Sequence, residues 1–245
     1  MIGLITGSGF YDLPDVVDRS ITTIDTPYGQ VELTTGRWAD VPVAFLPRHG
    51  SGHSIPPHAI NYRANIKALE TAGATSILAT AVSGGIDPSM TPGDFVAIHD
   101  VINFTSGRAD TFFDGAEGIV VHKDMSTAYD PGLRQVLMAA AAAEGIDLAD
   151  GGVYCATNGP RFETPAEIAM MGRLGGDLVG MTGYPEAVLA NELDISYASI
   201  GVIANAAAGL GQETLTADDV MLVVEQCAEP LHRLLGRAVA MIGAR

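Results

Sequence analysis

Cysteine is scarce in this chain, which has only Cys155 and Cys227 among its 245 residues. So few cysteines argue against a disulfide scaffold and are typical of proteins from a reducing cytosol, so we expect a cytoplasmic protein. The six histidines show neither an H-E-x-x-H pattern nor Cys/His ligand spacing, and we therefore expect no metal. A Gly-x-Ser-x-Gly elbow is also absent, and neither cysteine has an obviously activating sequence context.

Basic residues are also few, because 13 Lys and Arg stand against 29 Asp and Glu, which gives a formal charge of −16. This balance argues against nucleic acid or an anionic membrane as a partner. The longest apolar run, residues 136–143, is too short to span a bilayer. The first basic residue is Arg19, so we expect no secretory signal. Any anionic ligand must be bound by a few local donors that work against the overall field.

Hydrophobic residues make up 47% of the chain, which is enough for the core of one large domain. No linker, repeat or low-complexity tract divides it, so we expect a single domain over residues 1–245. Strand-like and helix-like runs alternate, which predicts an α/β fold with a central, mixed but largely parallel sheet flanked by helices. The predicted strands are residues 2–5, 31–35, 43–46, 76–80, 95–101, 152–156 and 197–204.

The predicted helices have recognisable start and stop signals. Asp130 followed by Pro131 indicates one helix start, and Thr164 with Glu167 forms a capping box at another. The predicted helices cover residues 59–72, 130–145, 164–175 and 185–193, with a long final helix that opens at residue 216. Ligands of such folds bind at the carboxyl ends of the strands, so we look for chemistry in the loops there.

Three of these loops have the chemistry of an anion site. Ser8 lies in a Gly-Ser-Gly turn after the first strand, where N–H groups and a hydroxyl suit an anion, although a plain turn fits equally. Arg48 and His49 follow the strand at 43–46, and they suit either phosphate or a surface salt bridge. Ala81 and Val82 precede a Ser-Gly-Gly run, which offers either backbone donors or ordinary turn geometry.

Three later loops offer groups for a flat ligand and its sugar. Phe162 and Glu163 can stack on a ring and accept from its N–H groups, or they can belong to the core and the helix start. Met181 can pack on a sugar or fill the core, and Thr182 precedes a helix start of the kind that binds phosphate. Asn205 ends a buried strand, where it either caps backbone or contacts a ligand.

Several motifs, which occur in a fixed order along the whole chain, together resemble those of one known family. They are Gly7-Ser8-Gly9, Asp25-Thr26-Pro27-Tyr28-Gly29, Arg48-His49-Gly50, Asn61-Tyr62-Arg63-Ala64-Asn65, Thr105-Ser106-Gly107-Arg108, Gly159-Pro160-Arg161-Phe162 and Gly180-Met181-Thr182-Gly183-Tyr184-Pro185-Glu186-Ala187. In these motifs the chain resembles the trimeric purine nucleoside phosphorylases, in the methylthioadenosine phosphorylase subfamily. The resemblance implies phosphorolysis of a purine nucleoside to free base and sugar 1-phosphate, without a metal or organic cofactor, by a homotrimer in purine salvage.

The resemblance also implies roles for individual residues. Those expected to bind phosphate, the co-substrate, are Ser8, Arg48, His49, Thr182 and, through the backbone, Ala81 and Val82. Those expected to bind the nucleoside are Phe162, Glu163, Met181, Asn205 and Ala207. The expected catalytic residues are Asn205, Glu163 and His49. At the position of Ala81 many members have a polar side chain that helps to bind phosphate, so here either the backbone or Thr80 has to serve.

The pair Glu163 and Asn205 favours a 6-oxopurine. Members that act on 6-aminopurines resemble one another in a serine at the position of Glu163 and aspartates at those of Asn205 and Ala207. An ionised carboxylate only accepts, so Glu163 suits the N1–H of hypoxanthine or guanine but opposes the bare N1 of adenine. Such a mismatch costs roughly 1–3 kcal/mol. We therefore predict inosine, guanosine or 5′-methylthioinosine as substrate, with 5′-methylthioadenosine as the alternative.

The 5′ end of the nucleoside is a separate question. Ala217 stands where members that prefer a free 5′-hydroxyl have a histidine, and Met221 follows one turn later, so we expect an apolar pocket that tolerates a methylthio group. His53 matches a residue of the sugar pocket, and the loop at Phe112 and Phe113 matches one that reaches a neighbouring subunit's sugar site. Two other readings stay open, a hydrolase that uses water and a purine-binding protein without activity.

Overall fold

The computed structural model describes residues 1–10, 13–116, 118–211 and 216–244. The strands are β1 (Ile2–Thr6), β2 (Val17–Thr26), β3 (Gly29–Trp38), β4 (Val41–Pro47), β5 (Ser76–Gly85), β6 (Phe95–Ala97), β7 (Asp100–Asn103), β8 (Leu148–Asp150), β9 (Val153–Ala156), β10 (Leu178–Gly180) and β11 (Ser196–Ala206). The helices are α1 (Tyr62–Thr71), α2 (Pro131–Glu144), α3 (Pro165–Arg173), α4 (Glu186–Glu192) and α5 (Ala217–Gly243), and short 3-10 turns cover Ser51–His53 and Pro57–Ala59.

All of these strands join one mixed sheet, in which β5 is the central strand. It runs parallel to β1 on one side and to β11 on the other, and its last residues, Gly84 and Gly85, also pair antiparallel with β10. Among the described strand pairings six are parallel and four antiparallel. The prediction of an α/β fold with a largely parallel mixed sheet is therefore confirmed.

Helices cover both faces of the sheet, and each face has its own apolar core. Leu78 of β5 packs in the core beneath α2 and α5, whereas its neighbours Ile77 and Ala79 pack in the core beneath α1 and α4. Side chains alternate across a strand, so a strand covered on both faces needs apolar residues at successive positions. This requirement explains why the sheet centre reads as unbroken apolar runs in the sequence.

The helix starts are built as the sequence predicts. The Asp130 side chain accepts from the backbone N–H of Leu133 at 2.7 Å, and Gly145 ends α2 in the left-handed region with a φ of 66°. Thr164 and Glu167 form the expected capping box at α3, because each side chain accepts from the other's backbone N–H. This box fixes the chain directly after Glu163.

Two expectations about the elements are wrong. The strand predicted at 95–101 is two strands, because the chain changes partners at Ile98 and His99: β6 pairs with β8 and β11, whereas β7 pairs with β9. The helix predicted from residue 59 begins at Tyr62, since the Asn61 side chain caps it by accepting from the N–H of Ala64 at 3.1 Å.

The sequence does not predict strand β2. Its ten residues are largely exposed and polar, so they lack the apolar run that marks the other strands. It forms a hairpin with β3. Strands β8 and β10 are three residues each and too short to leave a periodic pattern. Among the described residues, no helix combines the length and the apolar character that a bilayer crossing requires.

A bulge interrupts β11 where that strand reaches the carboxyl end of β5. Ile203 pairs with Ser83, but the next residue of β5, Gly84, pairs with Asn205, so Ala204 is an extra residue in the strand. Such a bulge breaks the alternation of side chains and re-aims the residues that follow. It lies directly before Asn205, the strand-end amide of the predicted site.

Candidate active site

A cavity of about 470 Å³ lies at the carboxyl ends of β1, β4, β5, β10 and β11. Its position is the one that parallel α/β sheets favour for ligands. Most of the residues that the sequence nominates line it, namely Ser8, Arg48, His49, Val82, Phe162, Glu163, Met181, Thr182, Asn205 and Ala207. The fold therefore brings together six loops that are up to about 200 positions apart in the chain.

Arg48 forms a buried ion pair that the sequence did not reveal. Its side chain and that of Glu186 are each 1% exposed, and they meet through two parallel bonds, Nε to Oε1 at 2.8 Å and Nη2 to Oε2 at 2.7 Å. The hydroxyl of Tyr197 donates to the same carboxylate at 2.8 Å. Burial opposes the charge on Arg48, but Glu186 outweighs it and raises the pKa of the guanidinium above its ordinary value.

The remaining donors of Arg48 face the loop after β1. Nη1 donates to the carbonyl of Thr80 at 2.6 Å, so three of the five N–H groups of the guanidinium are bonded and the other two have no partner among the described residues. A Cβ placed on Gly7 would lie 3.0 Å from Nη1, which shows how closely the guanidinium approaches this loop. The Arg48 side chain is therefore a fixed cation beside the N–H groups of the Gly7-Ser8-Gly9 turn.

His49 is neutral in this structure. Its Nδ1 lies 2.8 Å from the carbonyl of Ile55, and because a carbonyl only accepts, we assign the proton to Nδ1. Burial lowers the pKa of His49 to about 4, with a smaller contribution from the charge of Arg48. The ring stacks on His53 with 4.3 Å between centroids. His49 thus offers the cavity an acceptor at Nε2 rather than the second donor that its sequence position suggests.

Tyr154 holds the loop after β10. Its buried hydroxyl accepts from the backbone N–H groups of Thr182 and Gly183, both at 3.2 Å, and burial raises its pKa. A Cβ on Gly180 would lie 2.4 Å from this hydroxyl, and one on Gly183 would lie 2.8 Å from the ring. Only glycine leaves room for the tyrosine at these two positions. The sequence motif contained both glycines but not the partner that requires them.

The opposite end of the cavity carries a carboxylate and an amide. Glu163 Oε1 accepts from the Thr157 hydroxyl at 2.6 Å, and Asn205 Nδ2 donates to the carbonyl of Ala206 at 2.7 Å. A Cβ on Gly84 would lie 3.1 Å from Asn205 Nδ2, so the glycine makes room for the amide. Phe162 is 41% exposed and lines the cavity, and it therefore does not belong to the core.

Arg108 ties three site loops together, a role for which its motif gave no sign. Its guanidinium donates to the carbonyls of Thr157 at 3.0 Å and Met181 at 2.6 Å, and also to that of Tyr184. It also lies over the ring of Tyr62, 5.1 Å from the centroid. Arg108 does not line the cavity, so it acts on the geometry of the loops rather than on a ligand.

Three expected residues are placed differently or not described. The side chain of Ala81 packs in the core beneath α1 and α4 and does not line the cavity, and the Thr80 hydroxyl is buried without a hydrogen-bond partner among the described residues. Alternation explains this, because Val82 takes the cavity-facing position. The side chain of Ala217 lies outside the described residues.

Met221, Val220 and His53 also line the cavity, and the sequence nominated Met221 and His53 for it. Phe112 does not line the cavity and instead contacts Tyr28, with 5.4 Å between ring centroids. Among the residues that the structure describes, no group of three His, Cys, Asp or Glu side chains is arranged to hold a metal ion.

Comparison with known proteins gives a consistent result. The model of the phosphorylase superfamily matches residues 1–240. The chain is 45% identical to the 6-oxopurine nucleoside phosphorylase of Pyrococcus furiosus, over 98% of this chain and 92% of that protein. It is 44% identical to a probable S-methyl-5′-thioinosine phosphorylase of Methanothermobacter thermautotrophicus, over 98% of this chain and 83% of that protein.

A solved structure shares the fold. Methylthioadenosine phosphorylase from Schistosoma mansoni in complex with adenine superposes with a TM-score of 0.94 at 34% identity, covering 100% of this chain and 92% of that one. The resemblance of the sequence motifs to the purine nucleoside phosphorylases is thereby confirmed.

Replacing Glu186 with alanine tests the buried ion pair. The change leaves the Arg48 charge buried without its carboxylate, so we expect the free energy of unfolding to fall by about 3–5 kcal/mol in urea denaturation. The control is Glu229→Ala, which removes an exposed carboxylate, 74% exposed and 3.0 Å from Arg233. It should cost less than about 1 kcal/mol. Equal losses for the two variants would contradict the assigned importance of the buried pair.

The pH dependence of stability tests the neutral state of His49. Because its pKa is about 4 in the folded protein and 6.5 ordinarily, the unfolded chain binds the extra proton as the pH falls from 6.5 to 4, and the fold loses stability. We expect the loss between pH 7 and pH 5 to be smaller in His49→Gln than in the unsubstituted protein by about 1–2 kcal/mol. The exposed His58, changed to Gln, is the control. An identical loss in all three proteins would contradict a neutral His49.

Proposed function

Because the chain belongs to the phosphorylase superfamily, we propose that it cleaves 6-oxopurine nucleosides with inorganic phosphate, releasing the free base and a pentose 1-phosphate. The observation that carries the proposal is one cavity with a fixed guanidinium and a glycine loop at one end and a carboxylate with an amide at the other. The chain is thus a pentosyltransferase whose catalytic domain occupies residues 1–245. Phosphate is a co-substrate, and no cofactor takes part.

Phosphate binds at the end of the cavity formed by Arg48 and the Gly7-Ser8-Gly9 loop. The two free N–H groups of Arg48, the Ser8 and Thr182 hydroxyls and the loop N–H groups donate to its oxygens. Neutral His49 accepts the hydrogen of a protonated phosphate oxygen at Nε2. The backbone at Ala81 and Val82 completes the cradle. Holding the nucleophile under C1′ removes much of the entropic barrier to the displacement.

The base departs from the other end. Cleavage of the glycosidic bond leaves negative charge on the purine, and the second N–H of the Asn205 amide donates to N7 or O6. The first N–H is held by the Ala206 carbonyl, which fixes the plane of the amide. Glu163 accepts from N1–H, Phe162 flanks the ring, Met181 lies against the ribose, and Ala207 leaves the purine edge unblocked. No protein nucleophile is needed.

Two kinds of relative bear on the choice of base. Those that are 44–45% identical are named for 6-oxopurine nucleosides and S-methyl-5′-thioinosine, whereas the solved structures at 34% identity are methylthioadenosine phosphorylases. Glu163 favours the first group, since a carboxylate cannot donate to adenine N1. Phosphorolysis of methylthioadenosine is the second candidate and is supported by the closeness of fold.

The 5′ group is proposed to be a methylthio group. Met221 and Val220 make that side of the cavity apolar, and sulfur with a methyl group is better matched to them than a hydroxyl. His53 borders the same region.

The family also supports a homotrimer that works in cytoplasmic purine salvage. The loop at Phe112 and Phe113 then reaches the sugar site of the neighbouring subunit, which is compatible with the position of Phe112 outside the chain's own cavity. With a charge of −16 the protein binds neither nucleic acid nor anionic membrane.

A panel of five nucleosides with and without phosphate tests the proposal: inosine, guanosine, 5′-methylthioinosine, adenosine and 5′-methylthioadenosine. We expect no base release without phosphate. At the same 5′ group, kcat/KM for the 6-oxopurine should exceed that for the 6-aminopurine by about tenfold to a hundredfold. The Glu163→Gln variant should lose most of this preference. Faster cleavage of methylthioadenosine than of every 6-oxopurine nucleoside would contradict the assignment, and turnover without phosphate would indicate a hydrolase.

A further inference from the structure

Glu163 separates the main cavity from a second hollow of about 340 Å³ behind it, and Thr157 lines only the second. The Thr157 hydroxyl donates to Glu163 Oε1 at 2.6 Å. The Gly180 carbonyl is a second acceptor at 3.4 Å, but a hydroxyl has one proton, and the much shorter bond to the charged carboxylate is the stronger of the two. Thr157 therefore touches the base-binding carboxylate from the side that the ligand does not reach.

The hydroxyl of Thr157 is held in this position by its backbone. The N–H of Thr157 donates to the carbonyl of Gly180 at 2.9 Å, and its own carbonyl accepts from Arg108 at 3.0 Å. Both backbone groups are thus bonded, and the residue directly follows the end of β9. These two bonds fix the backbone position from which the hydroxyl reaches Glu163.

The two carboxylate oxygens of Glu163 therefore differ in their hydrogen bonding. Oε1 carries the hydrogen bond from Thr157, whereas Oε2 has no hydrogen-bond donor among the described residues. Hypoxanthine presents one N–H on the edge that faces the carboxylate, at N1. Guanine presents two roughly parallel donors, N1–H and the 2-amino group, which pair best with two equally available oxygens.

We propose that Thr157 is a specificity-determining, positioning residue that directs the site toward hypoxanthine nucleosides and away from guanine nucleosides, because its bond takes one of the lone-pair positions of Glu163 Oε1 and so weakens that oxygen as an acceptor for a second ligand N–H. The inference rests on the proposed function. The 2-amino group of guanine loses its hydrogen bonds to water when it enters the site and gains only a weak hydrogen bond to Oε1 in exchange. We therefore expect kcat/KM for inosine to exceed that for guanosine by about tenfold. Arg108 contributes indirectly, because it fixes the Thr157 carbonyl.

The test compares kcat/KM for inosine and guanosine in the unsubstituted protein and in Thr157→Val, Thr157→Ala and Thr157→Ser. Valine and alanine remove the hydroxyl, and serine keeps it. We expect the inosine-to-guanosine ratio to fall at least fivefold in the valine and alanine variants and to stay near the original value in the serine variant. The KM for phosphate should not change in any of them, since Thr157 lies away from that end of the cavity. Thr71→Val, an exposed change on α1, is the matched control.

Several results would overturn the inference. They are a preference of the unsubstituted protein for guanosine, an unchanged ratio in a folded valine or alanine variant, and a serine variant that behaves like valine. If the unsubstituted protein cleaves no 6-oxopurine nucleoside at all, the proposed function fails instead, and the nucleoside panel distinguishes that case. Binding of free hypoxanthine and guanine, measured by calorimetry on the unsubstituted protein, provides a second test that does not depend on the variants folding, and tighter guanine binding would also count against the inference.

Discussion

The ion pair between Arg48 and Glu186 is the constraint on which the cavity depends. It joins the residue after β4 to the first residue of α4, which are 138 positions apart, in a place where both side chains are only 1% exposed. A guanidinium without a partner there would be very costly, so the two parallel bonds and the Thr80 carbonyl are what allow a full positive charge beneath the sheet edge. A protein with a net charge of −16 can thus offer a cation to an anionic ligand.

The loops around that cation are fastened to one another by buried polar side chains. Tyr154 holds the backbone at Thr182, and Arg108 joins the loops that carry Thr157 and Met181. The proposed phosphate end and the proposed base end of the cavity therefore depend on one connected set of bonds. Arg108 is bonded to the loops of both ends, whereas the Thr157 hydroxyl, within the described part of the chain, bonds only to Glu163 and the Gly180 carbonyl. This connection is a physical reason for motif residues, such as Arg108, that do not line the cavity.

The sequence predicted the fold, and most of the residues that it nominated line one cavity, because both follow from local pattern. Apolar runs mark strands covered on both faces, and parallel strands bring their carboxyl ends to one edge, so residues such as Ser8 and Asn205 had to meet. Long-range pairings had no such signal: neither Glu186 as the partner of Arg48 nor Tyr154 behind its glycines can be inferred from spacing. Strand β2, which is exposed and polar, and the bulge before Asn205 were not predicted for the same reason. Both depend on pairing with other strands of the sheet.

Calorimetric titration of inorganic phosphate into the protein and into its Arg48→Lys variant tests the central claim most directly. Lysine keeps the charge opposite Glu186 but has no planar fork, so it cannot hold the carboxylate by two bonds and still present two donors to the cavity. The account predicts that phosphate binds at least about tenfold more weakly to the variant, while hypoxanthine binds as before. Equal phosphate affinity in the two proteins would contradict it.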